Sequence, residues 1–462
     1  MIKTLKDKAF LKRFFTISFP VMVQMLISFF VNFIDNVMVG GISDDVVGAV
    51  FSVNQLSFLF FVISYGLFSG ASIYVQQFSG SKDDDHLKQA VRYKGYIGTF
   101  FLLIFIPMVL IFGESLVRFY ARSSSNQEAI VVEALQYLPI IAFSYIPLTY
   151  ATMYGSTYRE IGKTKLPMVI SVISLLVNAT LNYVFIYIVK NGIVGVGIAT
   201  LTARVVEFIL LVVISHAKNE PFTRQLYRPF KVEWTLTKAI TQKTGVMLTN
   251  EILWSGGIVF QQLALASRVN VLSTLSIIST TTEIFNIIWA GLAVGVGVML
   301  GTTLGEGKVD EAKKLSTQLL WMGVLIALTL GFIMFWLSPL IPQLWVSVEV
   351  TQKQMATQIL QFFMFFLPFF AIANVTYHTL RAGGKTSQAF LLDGTVMWLG
   401  TVPLSWALAI WTNIPFVTMW VLIQTIDFLK AGFGIYLVRR YDWAKNLTNP
   451  FTKKSHIRTQ EN

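Results

Sequence analysis

Long apolar segments alternate with short polar ones along the whole chain of 462 residues. Runs such as VMVQMLISFFVNFI and WMGVLIALTLGFIMFW are typical of membrane helices, which need about 20 apolar residues to cross the hydrocarbon core. The pattern therefore predicts an all-α polytopic membrane protein with twelve transmembrane helices. The predicted spans are 14–39, 47–75, 95–113, 130–154, 167–189, 193–216, 240–263, 273–301, 316–338, 355–380, 387–411 and 416–438.

Composition agrees with this interpretation and narrows the class of protein. Hydrophobic residues make up 54% and charged residues 13% of the chain, whereas soluble proteins are about one quarter charged. The first apolar segment is full length and lacks a small-residue cleavage site, so we interpret it as a helix and not as a signal peptide. The chain has no cysteine, which excludes disulfides and thiolate metal sites. We attribute the net charge of +12 to loops that face anionic lipid and expect no nucleic-acid partner.

The distribution of basic residues predicts the orientation in the membrane. A cytoplasmic N-terminus places 29 of the 36 Lys and Arg residues on the cytoplasmic side, as the positive-inside rule requires. We therefore expect a multi-pass protein of the cell (plasma) membrane with both termini in the cytoplasm. The predicted divisions are a six-helix lobe at 1–216, an inter-lobe loop at 217–239, a second six-helix lobe at 240–440 and a polar cytoplasmic tail at 441–462.

The two halves of the sequence repeat each other with an offset near 225. SGSKDDDHLKQA, from Ser79, matches GEGKVDEAKKLS, from Gly305, and Arg-x-x-Gly-Lys-Thr occurs at Arg159 and again at Arg381. With six helices per half, both halves keep the same orientation and are related by an axis along the membrane normal. This pseudo-symmetric architecture is that of a transporter and not of an enzyme, whereas a receptor or channel predicts no such repeat.

The repeated Gly-Lys-Thr triplet suggests a nucleotide-binding loop, but its spacing excludes one. A phosphate loop needs a glycine five residues before the Gly-Lys-Thr glycine. Thr157 and Thr379 stand there instead, ahead of Gly162 and Gly384, and no apolar strand precedes either copy. We interpret both copies as cytoplasmic turns after the fourth helix of each half, where Arg and Lys cap helix ends and contact lipid headgroups; a gating role is the alternative.

Four stretches together carry a resemblance to a known family. PVMVQMLISFFVNFIDNVMVG at 20–40, GSKDDDHLKQAV, VGVGIATLTAR at 194–204 and the Arg-x-x-Gly-Lys-Thr turn resemble the multidrug and toxic compound extrusion (MATE) family. The loop after the second helix lacks the G-x-x-x-D-R/K-x-G-R-R/K signature of the major facilitator superfamily.

The resemblance implies a V-shaped fold of two lobes and export of amphipathic, often cationic compounds in exchange for Na⁺ or H⁺. It implies no ATP hydrolysis and no cofactor, and we expect a monomer whose partners are small organic molecules and membrane lipids. The alternative function is a lipid-linked precursor flippase of the same broader superfamily. That class favours several basic residues in the cavity, and only Arg204 is a clear mid-span Arg.

Charged and amide residues in the first half suggest a cation site, because ionisable groups in membrane spans are costly and usually functional. Asp35 lies near the outer end of the first helix, and Asn178 and Asn182 share one face of the fifth. With Thr200 on the sixth helix they supply carboxylate, amide and hydroxyl oxygens, which suit Na⁺ or a proton relay. The resemblance implies that these four residues form the cation site of the first lobe. Helix–helix hydrogen bonding is the alternative role of the asparagines.

Glu251 is the corresponding acid of the second half, near the middle of the seventh helix. The resemblance implies that it couples a cation or substrate. The tenth-helix stretch FFAIANVTYHTLR contains no acid to complete a sodium site, so we expect Glu251 to bind a proton or meet cationic substrate.

Other intramembrane charges are predicted to have structural roles. Arg204 and Glu207 are three residues apart on one helix and are expected to pair there, as are Asp427 and Lys430. Asp393 lies two turns inside the eleventh helix and is expected to reach the cytoplasmic interface.

Overall fold

The computed structural model describes residues 7–122, 126–224, 226, 232–268, 271–346 and 348–451. The side chains of residues 31–37 lie outside the described set, although their backbone belongs to the first helix. Within these ranges all regular secondary structure is helical and no strand occurs.

The first half of the chain forms six long helices joined by short turns. They are α1 Lys8–Gly40, α2 Asp44–Ser81, α3 Asp84–Ala121, α4 Gln127–Glu160, α5 Lys165–Tyr183 and α6 Gly192–Ala217. A π-helical stretch, Val184–Ile188, extends α5.

The second half repeats this arrangement with more interruptions. Its first four long helices are α7 Trp234–Ala266, α8 Leu272–Gly305, α9 Val309–Leu337 and α10 Val350–Ala382, with a 3₁₀ turn at Ile341–Leu344. The next span consists of α11 Thr386–Phe390, two π-helical stretches at Leu391–Thr395 and Met397–Thr401, and α12 Val402–Trp411. The last consists of α13 Phe416–Gln424 and α14 Ile426–Arg440.

The helices agree with the predicted membrane spans. Eleven helical segments of the described chain are long and apolar enough to cross a membrane. The predicted span at 240–263 lies in α7 but is not among the eleven, because Asn250, Glu251, Gln261 and Gln262 interrupt its apolar run. The all-α polytopic class is thus confirmed, whereas the count of twelve crossings stays a prediction.

The described chain divides into two compact units. The N-unit comprises residues 20–75 and 83–244, and the C-unit comprises residues 1–19, 76–82 and 245–462. Helices α1, α2 and α7 therefore contribute residues to both units. The N-unit core contains Phe60 stacked on Tyr145 with ring centroids 4.3 Å apart, and the C-unit core contains Phe363 against Trp420 at 5.0 Å. The lobe boundaries near 216 and 240 stay a prediction.

The two Arg-x-x-Gly-Lys-Thr copies form matching helix C-termini. Gly162 and Gly384 adopt φ angles of +80° and +75°, the left-handed conformation that glycine tolerates best. The next residue donates its N–H back across the turn, from Lys163 to Tyr158 O (2.8 Å) and from Lys385 to Leu380 O (2.8 Å). Both copies are thus helix-ending turns of the Schellman type.

A different segment covers the turn in each unit. In the N-unit, Lys163 forms an ion pair with the buried Glu220 of the chain that follows α6 (2.6 Å). In the C-unit, the chain that follows α14 passes over the turn, and a Cβ on Gly383 would lie 1.9 Å from the carbonyl oxygen of Trp443. Gln77 fixes this segment by donating to Ala382 O (2.8 Å) and accepting from the N–H of Leu447 (2.7 Å).

The start of α3 has a side-chain cap. The Asp83 carboxylate accepts hydrogen bonds from the His86 backbone N–H (3.1 Å) and from its ring Nδ1 (2.7 Å). Burial alone would raise the pKa of Asp83, but these hydrogen bonds from His86 outweigh burial and hold the pKa below its usual value.

Candidate functional site

A buried polar stripe runs along α5 in the N-unit. Ser171, Ser174, Asn178 and Asn182 follow one another at intervals of three or four residues, so they share one helix face, and all four are buried. In a membrane helix the apolar side chains face lipid, and small polar residues at the interface let helices approach and bond to each other. The local sequence therefore directs this polar face towards the neighbouring helix.

That neighbour is α6, which runs antiparallel to α5. Because the helices are antiparallel, residue numbers rise along α5 as the numbers of their partners fall along α6. The contacts are Ser171 Oγ to Glu207 Oε1 (2.7 Å), Ser174 Oγ to Ala203 O (2.7 Å), and Asn178 Nδ2 to Thr200 Oγ1 (3.5 Å).

Three of the four predicted cation-site residues come together at the far end of this ladder. Asn178 donates to Thr200, and Asn182 donates to the Oδ1 of Asn178 (3.5 Å). The cluster offers amide and hydroxyl oxygens, the ligand type that hard cations prefer. Asp35, the fourth predicted residue, has its side chain outside the described set. The contact between Asn178 and Thr200 also provides the interhelical bonding that was the alternative role.

The C-unit contains a second polar cluster, around Glu251. The Tyr377 hydroxyl of α10 donates to Glu251 Oε1 at 3.5 Å, the long end of the hydrogen-bond range. Asn250, which is 1% exposed, donates from Nδ2 to the Tyr377 hydroxyl oxygen (3.0 Å). The Arg381 guanidinium lies over the Tyr377 ring, 5.4 Å from its centroid. Glu251 thus belongs to a polar network that joins α7 to α10.

This network continues into the interrupted helix that follows α10. Asn250 Nδ2 also donates to Asp393 Oδ2 (3.2 Å), and Asn250 Oδ1 accepts from the N–H of Gly394 (3.1 Å). Asp393 and Gly394 lie in the π-helical stretch Leu391–Thr395, a geometry frequent at functional sites. Lys430 of α14 forms an ion pair with Asp393. Four membrane segments therefore meet at one connected set of polar groups.

The MatE family model matches residues 20–184 and 246–407, one stretch in each half of the chain. The chain belongs to the MatE family. It is therefore a multi-pass membrane protein of a transporter family, and the resemblance found in the sequence is confirmed. Neither described cluster is a group of three or more His, Cys, Asp and Glu residues able to hold a metal ion.

Two relatives illustrate how MatE proteins compare with this chain. A probable multidrug resistance protein NorM from Bacillus cereus is 24% identical over 459 residues, covering 95% of this chain and 97% of the relative. A probable multidrug resistance protein YoeA from Bacillus subtilis is 23% identical over 388 residues, covering 82% of each.

Solved MATE structures share the fold. A MATE protein in a bent conformation superposes with a TM-score of 0.83 at 18% identity, covering 96% of this chain and 97% of that one. A transporter of the MOP superfamily from Pyrococcus furiosus gives a TM-score of 0.82 at 17% identity, covering 94% and 96%. This likeness confirms the predicted MATE-like fold class.

The remaining charges of this MatE protein form direct contacts with neighbouring segments in addition to the predicted attraction within one helix. Lys430 pairs with Asp393 of another segment, and Asp393 is therefore part of the polar network. Arg204 donates to Ser144 Oγ of α4 (2.5 Å), whereas its predicted partner Glu207 accepts from Ser171. Neighbouring helices offered better geometry than the next turn of the same helix.

Sequence reasoning missed Asn250 and Tyr377 as site residues. Asn250 precedes Glu251 directly, and Tyr377 stands four residues before the Arg381 turn. The available signal was weak: Asn250 is an amide next to an acid within a span, and Asp393 is an acid two turns inside another span. Their meeting depends on which helices are neighbours, and a single sequence does not state this.

Proposed function

We propose that this MatE protein is a secondary active exporter of amphipathic, often cationic organic compounds, driven by entry of H⁺ or Na⁺. The observation that carries the proposal is the family match in both halves, combined with one acid in a membrane helix of each half, Asp35 and Glu251. The relatives named multidrug resistance proteins support export of several drugs rather than flipping of a lipid-linked precursor.

The first-half cation site consists of Asp35, Asn178, Asn182 and Thr200. Contacts among Asn178, Asn182 and Thr200 support it, since they gather three neutral oxygen-bearing side chains on two adjacent helices. Amide and hydroxyl oxygens alone carry no charge, so a carboxylate at Asp35 supplies the attraction for Na⁺ or the group that takes up H⁺.

Glu251 is the coupling acid of the second half and meets either a proton or a cationic substrate. Its place in the network with Tyr377 and Asn250 supports this role, because hydrogen-bond donors orient a carboxylate that would otherwise be costly in the membrane. The protein works without a cofactor and without ATP. Its substrates are small organic molecules, it contacts lipid, and it functions as a monomer.

The proposed transport is tested with the purified protein in liposomes. A fluorescent organic cation is loaded, a Na⁺ or a pH gradient is imposed separately, and movement of the cation is recorded. Export that starts with one gradient and stops when an ionophore dissipates it supports the proposal and identifies the coupling ion. Movement that ignores both gradients, or requires ATP, contradicts it.

The proposed orientation has both termini and the loop at 217–239 in the cytoplasm. Because the chain has no cysteine, single cysteines at Ser43 and Lys218, which are both exposed, report on the two sides separately. Labelling of Ser43→Cys by an impermeant reagent on intact cells supports the orientation. Labelling of Lys218→Cys in its place reverses it.

A further inference from the structure

The hydrogen bonds around Asn250 fix the direction in which its amide points. Its Oδ1 accepts from the backbone N–H of Gly394, which can only donate, so Nδ2 must face the other way. There Nδ2 meets Asp393 Oδ2 at 3.2 Å and the Tyr377 hydroxyl oxygen at 3.0 Å. If the amide were reversed, its oxygen would face the carboxylate oxygen of Asp393, and its NH₂ group would face the N–H of Gly394.

This direction determines what the Tyr377 hydroxyl does. Its oxygen accepts from Asn250, and its single proton is donated to Glu251 Oε1 at 3.5 Å. Chains of donors and acceptors that share one direction strengthen each other in a low-dielectric interior. The hydrogen bond from Asn250 thus leaves the Tyr377 proton directed at the Glu251 carboxylate.

The Asp393 and Asn250 end of this chain of hydrogen bonds is held in place by charge and by close packing. Lys430 neutralises Asp393, so the carboxylate that orients Asn250 does not stand as an isolated charge. The absence of a side chain at Gly394 leaves room for the Asn250 amide, since a Cβ there would lie 3.2 Å from Asn250 Oδ1. Asn250 is 1% exposed, so water does not compete for its amide.

We propose that Asn250, Tyr377, Asp393 and Lys430 are positioning residues that hold the Glu251 carboxylate in the orientation that receives a cationic substrate. The inference rests on the proposed role of Glu251 and extends it to residues on three other membrane segments. Asp393 and Lys430 act through Asn250 and Tyr377 and do not meet the substrate themselves.

A double-mutant cycle separates positioning from simple helix–helix bonding. The full-length protein is purified in detergent, and the dissociation constant for ethidium, a fluorescent cation, is measured by anisotropy. Tyr377→Phe and Asp393→Asn are each expected to raise this constant about two- to tenfold, the effect of one lost hydrogen bond. In a Glu251→Gln background neither change should weaken binding further, because coupled residues are not additive.

The controls make each outcome decisive. Tyr436→Phe removes the hydroxyl of an exposed tyrosine on α14 and should leave ethidium binding unchanged. If Asp393→Asn does not fold, Tyr377→Phe decides alone, since it leaves the ion pair intact. Losses that multiply in the Glu251→Gln background, or an unchanged constant in Tyr377→Phe, overturn the positioning role. An unchanged constant in Glu251→Gln alone overturns the proposed role of Glu251.

Discussion

The polar cluster of the N-unit and that of the C-unit occupy corresponding halves of one repeat but differ in charge. The described N-unit cluster is neutral and consists of two amides and one hydroxyl, at Asn178, Asn182 and Thr200. The C-unit cluster contains the Asp393–Lys430 ion pair as well as the Glu251 carboxylate. The two halves share their helices and the repeated turns, whereas their polar clusters differ in charge and in the helices that carry them.

This difference implies a division of labour between the halves. A neutral oxygen cluster attracts a cation only when a carboxylate joins it, so the proposed first-half site depends on Asp35. The C-unit cluster already contains two cations, Lys430, which compensates Asp393, and Arg381, which lies over the Tyr377 ring. Glu251 accepts a hydrogen bond from Tyr377, and in the proposed function a proton or a cationic substrate binds to this carboxylate.

The largest expected effect comes from removing the Asp35 carboxylate. Asp35→Asn keeps the volume and hydrogen-bonding capacity of the side chain but removes its charge, so the neutral cluster can no longer attract a coupling cation. Gradient-driven efflux should fall to background, while membrane insertion survives, because losing a buried charge lowers the cost of burial. Efflux from proteoliposomes and the yield of folded protein measure the two effects.

Asp44→Asn is the matched control, since Asp44 is exposed at the first turn of α2. It makes the same chemical change close by in the sequence and should retain transport. Near-normal efflux by Asp35→Asn would move the coupling role to the charged cluster of the C-unit.

A smaller and more selective effect is expected at Glu251. Glu251→Gln should weaken binding of cationic substrates about tenfold, as expected for a lost charge-assisted contact, and change binding of neutral substrates little. Na⁺ binding, if the first half holds it, should persist. Dissociation constants for one cationic and one neutral fluorescent substrate measure the difference. Equal losses for both, or abolished Na⁺ binding, would contradict the division of labour.

The sequence was sufficient to predict the features that depend on local pattern. Hydrophobic runs placed the helices, and the spacing around Gly162 and Gly384 excluded a phosphate loop and predicted turns. The face shared by Asn178 and Asn182 follows from the helical period alone, and Thr200 lies on the adjacent antiparallel helix.

The partners of the second-half charges could not be predicted in this way. Lys430 stands three residues from Asp427 in the sequence, yet it pairs with Asp393 from a different membrane segment. Two π-helical stretches interrupt that segment and shift the register of its side chains. Which side chains meet then depends on tertiary packing, and a helical period no longer describes it.

The next expected effect concerns the segments that cover the two repeated turns. Gly383 lies beneath the Trp443 carbonyl, and its repeat counterpart 222 residues earlier is Ile161, which carries a side chain. Gly383→Ala should displace the segment at 441–451 and lower the free energy of unfolding by about 1–3 kcal/mol, the usual cost of overpacking. The fraction of protein that stays monodisperse after heating measures it.

Gly432→Ala is the control for that substitution, because a Cβ at Gly432 of α14 meets nothing within 4 Å. It should be neutral or stabilise the helix by about 0.5–1 kcal/mol. A Gly383→Ala protein as heat-resistant as the Gly432→Ala protein would show that the Trp443 segment yields without cost and does not secure the turn.

The smallest expected effect tests the repeat at the turn between α2 and α3 and at the turn between α8 and α9, where Lys82 and Gly307 each directly precede the N-cap residue of the following helix. Both residues have positive φ, +57° at Lys82 and +79° at Gly307. A side chain is strained in this conformation by about 1 kcal/mol, whereas glycine is not.

Lys82→Gly should therefore raise the free energy of unfolding by a few tenths to about 1 kcal/mol. The gain is reduced by the extra freedom of glycine in the unfolded chain. Gly307→Ala should lower it by about 1 kcal/mol, since nothing lies within 4 Å of a Cβ there and only the backbone angle opposes it. Lys82→Ala keeps the strain, removes the exposed charge and should change stability less than either. Opposite signs for the two glycine exchanges, measured by the same heating assay, would establish that the halves share this turn; equal signs would show that the repeat ends before it.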